Sequence, residues 1–238
     1  MNIYVTGLNK GCGKTIISAG ISAVMQSLGY KACVYKPIQT GAIDKGKYLV
    51  SPDLTFVKML DPYIITHSTY MMTNKALPEV SSEAENIKID INDIKKDYKT
   101  LTKKAETIVV EAPCSIMSPI SGNLFAYNIP LNLKIPAIIV ITPSSDNVGA
   151  YLSEINSAKS IGLDIAGVII NKYPAYSESL EVKTFPSLIE KYSDAKVLGL
   201  IRNFKGKSVS ASGLITEILN GIDVQDVFKM KIPKLNMY

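Results

Sequence analysis

Ten residues near the start of the chain, Thr6-Gly7-Leu8-Asn9-Lys10-Gly11-Cys12-Gly13-Lys14-Thr15, hold the residue types that grip a polyphosphate. Glycines let a backbone curl so that successive N–H groups point at one anion. The Lys14 ammonium can reach terminal phosphates, and the Thr15 hydroxyl can ligate a magnesium ion. At Cys12 the backbone N–H matters more than the thiol. Asn9, Lys10, Gly11, Cys12, Gly13, Lys14, Thr15 and Ile16 are therefore candidate nucleotide contacts. The spacing is unusual: the glycine that normally lies six residues before the lysine is replaced by Leu8, and Gly7 sits one residue earlier.

Four further features, at the ends of apolar runs and at one helix start, carry five more candidates. Lys36 and Thr40 lie in Tyr35-Lys36-Pro37-Ile38-Gln39-Thr40-Gly41, where a lysine can hold an anionic substrate or developing phosphoryl charge. Glu111 ends Ile108-Val109-Val110-Glu111 and is placed to hold Mg²⁺. Asp53, in Ser51-Pro52-Asp53, fits two roles, a carboxylate favoured in a helix first turn or a second metal ligand, and spacing does not choose between them. Asn171, ending Ile169-Ile170-Asn171, has an amide that suits the edge of a base, and equally a turn. Cys114 has no histidine placed to activate it, since the only one, His67, falls in a loop-rich stretch.

The elements that must position these residues alternate along the chain. Continuous apolar runs predict strands over 2–6, 31–35, 107–111, 137–142, 165–171 and 196–201, buried on both faces as in a parallel sheet. Apolar periodicity predicts helices over 14–28, 52–60, 92–104, 147–161, 177–193 and 209–220. The first joins the glycine-rich turn to a helix and offers its positive N-terminal end to the same anion. The sum is a doubly wound, mainly parallel α/β fold of the P-loop type, with helices on both faces and ligands at the carboxyl ends of the strands. No linker-like stretch divides it, so residues 1–238 are expected to form one domain.

Composition narrows the class. Of 238 residues, 47% are hydrophobic and 20% charged, an ordinary globular balance. The first strand leaves no room for a signal peptide, and no apolar run is long enough to cross a bilayer, so a cytoplasmic protein without membrane contact is expected. Three cysteines make no disulfide framework. The net charge of +5 comes from scattered lysines, which gives no support to nucleic-acid binding.

Together the motifs resemble dethiobiotin synthetase. Thr6-Gly7, five variable residues and Gly13-Lys14-Thr15 have that family's loop spacing, and Tyr35-Lys36-Pro37-Ile38-Gln39-Thr40-Gly41 matches its lysine loop. Asp53, Val110-Glu111 and Asn171 match its acidic and strand-end positions. The resemblance implies a homodimeric, ATP- and Mg²⁺-dependent ligase that closes the ureido ring of dethiobiotin from 7,8-diaminononanoate and CO₂. It implies Lys36 and Lys14 as catalytic, and Thr15, Asp53 and Glu111 as metal ligands. Asn171 and Arg202 would lie at the nucleotide, and Lys36, Thr40, Pro113 and Cys114 at the substrate. Three family features differ: its Glu-Gly-Ala-Gly-Gly loop reads Glu111-Ala112-Pro113-Cys114-Ser115, its Gly-x-x-Asn-His stretch reads Asp146-Asn147-Val148-Gly149-Ala150, and its Ile-Pro pair reads Ile201-Arg202. Two alternatives follow: a diverged nucleotide-binding relative acting on another substrate, or a regulatory or partition-type ATPase switch. Switches of that kind carry a lysine five residues before the loop lysine, where this chain has Asn9.

Overall fold

A computed structural model of the chain describes residues 1–203 and 210–232. Its strands are β1 (Asn2–Gly7), β2 (Ala32–Tyr35), β3 (Ile38–Thr40), β4 (Ile43–Asp44), β5 (Leu49–Val50), β6 (Ile65–His67), β7 (Tyr70–Met72), β8 (Thr107–Glu111), β9 (Pro119–Ser121), β10 (Leu124–Phe125), β11 (Ala137–Ile141), β12 (Ile165–Tyr173) and β13 (Val197–Arg202). Its helices are α1 (Lys14–Ser27), α2 (Pro52–Leu60), α3 (Pro78–Ala84), α4 (Ile91–Leu101), α5 (Asn128–Leu133), α6 (Val148–Ser160), α7 (Leu180–Ser193), α8 (Ala211–Gly221) and α9 (Val224–Phe228).

Seven strands form one parallel sheet in the order β13-β12-β11-β1-β8-β2-β6. Within its apolar runs, side chains alternate between two buried faces. Ile3, Val5, Ile138 and Val140 pack with residues of α1, α2, α8 and α9. On the other face, Tyr4 and Val110 join a cluster with α4 and α5, and Ile139 and Ile141 join one with α6 and α7. The expected doubly wound α/β architecture is therefore observed, with helices on both faces.

All six expected strands and six expected helices are present, the strand over 107–111 and the helix over 52–60 with the expected ends and the others shifted by one to three residues at an end. The strand expected over 165–171 continues to Tyr173, and the one over 137–142 stops before Thr142-Pro143, where proline has no N–H to give. The helix expected from 177 begins at Leu180, because Ser177 Oγ accepts from the Ser179 N–H and holds a turn instead. The last expected helix starts at Ala211, capped by Ser210; its first expected residue, 209, lies outside the described residues. Sequence periodicity missed the short elements, including α3, α5, α9 and β6. His67 is thus not in a loop but in the edge strand β6, paired in register with Tyr35, and its Nε2 lies 2.8 Å from Asp97 Oδ2.

Candidate active site

The carboxyl ends of β1, β2 and β8 open into a groove of about 660 Å³. Lys10, Lys14, Thr15, Lys36, Thr40, Asp53, Glu111, Pro113 and Cys114 are among its lining residues, so most of the expected site is brought together.

Adjacent elements deliver these side chains. β1 runs into the glycine-rich loop, and α1 starts at Lys14 after Gly13, whose φ of 98° is the left-handed conformation that opens the turn. Gly7 explains the shifted spacing. A Cβ built there would lie 2.3 Å from Cys12 Sγ and 2.9 Å from the Val140 carbonyl oxygen, so this glycine makes room for the loop folding back on the strand. The loop is gripped from the end of β12. Asn171 Nδ2 donates to the Cys12 carbonyl at 2.7 Å, and Lys172 Nζ donates to that of Gly11 at 2.7 Å. Asn171 is buried, and its amide nitrogen acts first on the loop backbone. Ile16 packs its side chain against the core beneath.

Lys36 crosses from the end of β2 to the groove floor. Its Nζ lies 2.6 Å from Asp53 Oδ2 and 2.7 Å from Glu111 Oε1. Glu111 Oε1 also accepts from Thr15 Oγ1 at 2.8 Å. Burial alone would push the Lys36 pKa down, but the Glu111 and Asp53 carboxylates outweigh it and hold the ammonium above its ordinary 10.5. Asp53 meets Lys36 because α2 is fixed at its start. Ser51 caps it by accepting from the Leu54 N–H at 3.1 Å and is itself tied to Gln39 Oε1 of β3. Asp53 stands in the first turn of α2, one of the two roles left open for it, and pairs with Lys36 on the groove floor.

Glu111 is 1% exposed, and its Oε2 has no hydrogen-bond partner among the described residues. A buried carboxylate oxygen without a partner is costly, and a hard cation is the kind of ligand that satisfies it. With the Thr15 hydroxyl bonded to the same carboxylate and Asp53 across Lys36, the donor set suits Mg²⁺ by its oxygen chemistry.

Cys114 lies in the loop after β8. Burial pushes its thiol up to about 11, so it is protonated at neutral pH and is no nucleophile. Arg202 is not brought to the groove. Its Nη2 lies 2.6 Å from Glu217 Oε2 and its Nε 3.0 Å from Glu217 Oε1, an ion pair between β13 and α8. A second, smaller cavity of about 380 Å³ opens on the other side of the loop, lined by Lys10, Thr142, Pro143, Lys172, Pro174 and Val182 among others.

Sequence reading missed Lys75, Gln39, Ser118 and Lys172. Lys172 had a signal, its place beside Asn171. Lys75 had none, because an irregular segment far along the chain carries it into the groove.

A parallel sheet with a glycine-rich loop between β1 and α1, a lysine and threonine at the helix start and a carboxylate at a neighbouring strand end define a P-loop nucleotide-binding protein. The family model described as an AAA domain matches residues 1–209, and the chain belongs to that family. Among curated proteins it is similar to the ATP-dependent dethiobiotin synthetase BioD of Caldicellulosiruptor saccharolyticus, 27% identical over 208 residues and 84% of each chain. It is also similar to the one from Clostridium kluyveri, 27% identical over 85% of this chain and 86% of the relative. The family name suggested by the motifs is thus carried by its relatives. Among solved structures, the septum site-determining protein MinD from Pyrococcus horikoshii, complexed with Mg-ADP, aligns with a TM-score of 0.57 at 17% identity over 97% of this chain and 89% of that one. MinC:MinD from Aquifex aeolicus aligns at 0.60 and 16% over 98% and 97%. These structural likenesses concern the fold alone.

Proposed function

We propose that this chain joins CO₂ to 7,8-diaminononanoate at the expense of ATP, closing the ureido ring of dethiobiotin. The observation that carries this reading is Lys36, buried beside Glu111 and Asp53 on the floor of a groove whose opposite wall is the phosphate loop. A nucleotide switch has no use for such a lysine, whereas a ligase that unites two anions needs it. The relatives named as dethiobiotin synthetases support the same reading.

In this reaction one amine nitrogen attacks CO₂, loses a proton and becomes a carbamate. A carbamate oxygen then attacks the γ-phosphorus and ADP leaves, giving a mixed anhydride. The second amine attacks its carbonyl carbon, phosphate leaves, and the ring closes. Lys14 would follow the γ-phosphate, and Lys36 would screen the carbamate against it and stabilise charge on the transferring phosphoryl group. Thr40 would hydrogen-bond the carbamate or the amine. Asn9, Lys10 and the backbone N–H groups of residues 11–16 would hold the nucleotide, and Pro113 and Cys114 would border the substrate. Thr15, Asp53 and Glu111 would hold Mg²⁺, which when bound neutralises charge on the β- and γ-phosphates. No enzyme nucleophile is required, in keeping with the protonated Cys114 thiol. Holding two reactants together supplies much of the rate, since effective molarity is worth ~7–11 kcal/mol. A homodimer is part of the proposal.

The test is phosphate release from Mg-ATP with and without 7,8-diaminononanoate and bicarbonate, with product identified by mass. Diamine-dependent release yielding dethiobiotin supports the ligase. Nucleotide binding without that release refutes it and favours a relative acting on another amine, with the glycine-free loop at 112–115 as the altered wall.

A further inference from the structure

Gln39 joins two sides of the groove through its side-chain amide. It lines the groove, yet only 4% of its surface is exposed. The amide is occupied at both ends. Nε2 donates to the Thr40 carbonyl at 2.7 Å, and Oε1 accepts from Ser51 Oγ at 2.5 Å. The partners fix which end is which. A backbone carbonyl only accepts, so the Thr40 oxygen requires an N–H. The Ser51 hydroxyl already accepts from the Leu54 N–H at 3.1 Å, and its own proton goes to Gln39. One side chain must donate at one end and accept at the other, which an amide does and an ionised carboxylate cannot.

Each partner leads to a residue of the site. On one side, Ser51 caps α2, and its carbonyl accepts from the Thr55 N–H at 2.9 Å and from Thr55 Oγ1 at 2.8 Å. These bonds set the first turn of α2, where Asp53 Oδ2 stands 2.6 Å from Lys36 Nζ. Ser51 is buried, so little water is at hand to take the place of Gln39. On the other side, Thr40 ends the three-residue strand β3. Its carbonyl shares a peptide plane with the Gly41 N–H, which donates to the Asn74 carbonyl at 2.9 Å. Both polar groups of that peptide are therefore bonded, one of them by Gln39, and the peptide that carries the Thr40 side chain is held at its end.

We propose that Gln39 is a positioning residue, whose amide sets Asp53, through Ser51, against Lys36 and a bound Mg²⁺, and sets Thr40 against the reacting amine. The part at Thr40 rests on the reading that the site carboxylates an amine. The part at Asp53 rests on its carboxylate as a metal ligand and needs only a bound nucleotide.

Three variants separate the two arms. Gln39→Met loses both bonds, Ser51→Ala loses the one toward α2, and Gln39→Glu keeps an oxygen for Ser51 but turns a second oxygen on the Thr40 carbonyl. The first readout needs no turnover: affinity for a fluorescent ADP analogue, titrated with Mg²⁺ and repeated in EDTA, with Asp53→Asn as reference. Gln39→Met and Ser51→Ala should raise the half-saturating Mg²⁺ about three- to ten-fold, the size of one hydrogen bond, and leave the affinity in EDTA unchanged. The double variant should be no worse than either single one, because both act through the same bond. Gln39→Glu should leave the Mg²⁺ requirement unraised. The second readout is the KM for 7,8-diaminononanoate at saturating Mg-ATP and bicarbonate. It should rise by a similar factor in Gln39→Met and Gln39→Glu and stay at the wild-type value in Ser51→Ala. An unraised Mg²⁺ requirement in both Gln39→Met and Ser51→Ala overturns the proposal, and a shift in Asp53→Asn alone would leave that carboxylate a ligand that Gln39 does not position. Equal losses of affinity with Mg²⁺ and in EDTA also overturn it, since they mark a general loss of fold. A Mg²⁺ shift without turnover by wild type keeps the Asp53 arm and removes the proposed reaction. Turnover with one KM in all variants removes the Thr40 arm.

Discussion

Lys36 concentrates the chemistry of the groove at a single residue. An ammonium buried between two carboxylates is held charged by them, and each carboxylate in turn relies on it. Replacing one member of a buried pair leaves the other uncompensated, so Lys36→Gln should lower unfolding stability by about 3–5 kcal/mol. The folded variant should bind ATP within a few-fold of wild type and form no product, measured by nucleotide titration and by mass detection of dethiobiotin. Wild-type turnover would remove Lys36 from the mechanism. The sign of the pH dependence follows from the raised pKa. Folding favours the charged form, so this contribution is fully present below the ordinary value of 10.5 and is lost as pH rises through the higher folded value. In urea denaturation, the gap between wild type and Lys36→Gln should be constant from about pH 7 to 10 and narrow above that. Lys36, Glu111 and the phosphate loop were legible in the sequence because their signals are local: a glycine pattern, and polar residues ending apolar runs. Lys75 was not, because only the pairing of β3 with β7 brings it beside Thr40.

Among the elements, β12 does the most to join sheet and site. Three consecutive side chains at its end each meet a carbonyl: Asn171 that of Cys12, Lys172 that of Gly11, and Tyr173 that of Val182 in α7, at 3.2 Å. The last contact answers a defect. Pro186 lies inside α7 and has no N–H for the Val182 carbonyl four residues earlier, and the Tyr173 hydroxyl donates to it instead. Tyr173→Phe should therefore cost about 0.5–1.5 kcal/mol in wild type. In a Pro186→Ala background, where the helix supplies its own donor, the same change should cost almost nothing. Equal costs in both backgrounds, measured by chemical denaturation, would rule out this compensation. Long elements were legible through their apolar periodicity. The three-residue strands and the six-residue α5 were not, because they contain less than two periods of any pattern and owe their form to tertiary pairing.

For the whole molecule, nucleotide and fold are linked through the loop that β12 grips. A ligand that binds only the folded chain stabilises it by about 2.7 kcal/mol at a hundred times its Kd. For a chain of 238 residues, Mg-ADP at that concentration should raise Tm by roughly 5–10 °C in a thermal melt. Gly13→Ala should lose most of that rise, because a Cβ there would lie 2.0 Å from Asn171 Nδ2 and break the grip. No helix among the described residues is long and apolar enough to cross a membrane.

The close approach of Cys12 to Gly7 reaches beyond one molecule to its descent. Two positions five residues apart share one small volume, so neither is free to drift by itself. A lineage that acquires a side chain at position 7 must shed bulk at position 12 and also move the backbone carbonyl at position 140, and one that keeps glycine at 7 can trade the thiol for other small groups. Within such lineages the two positions should change in step.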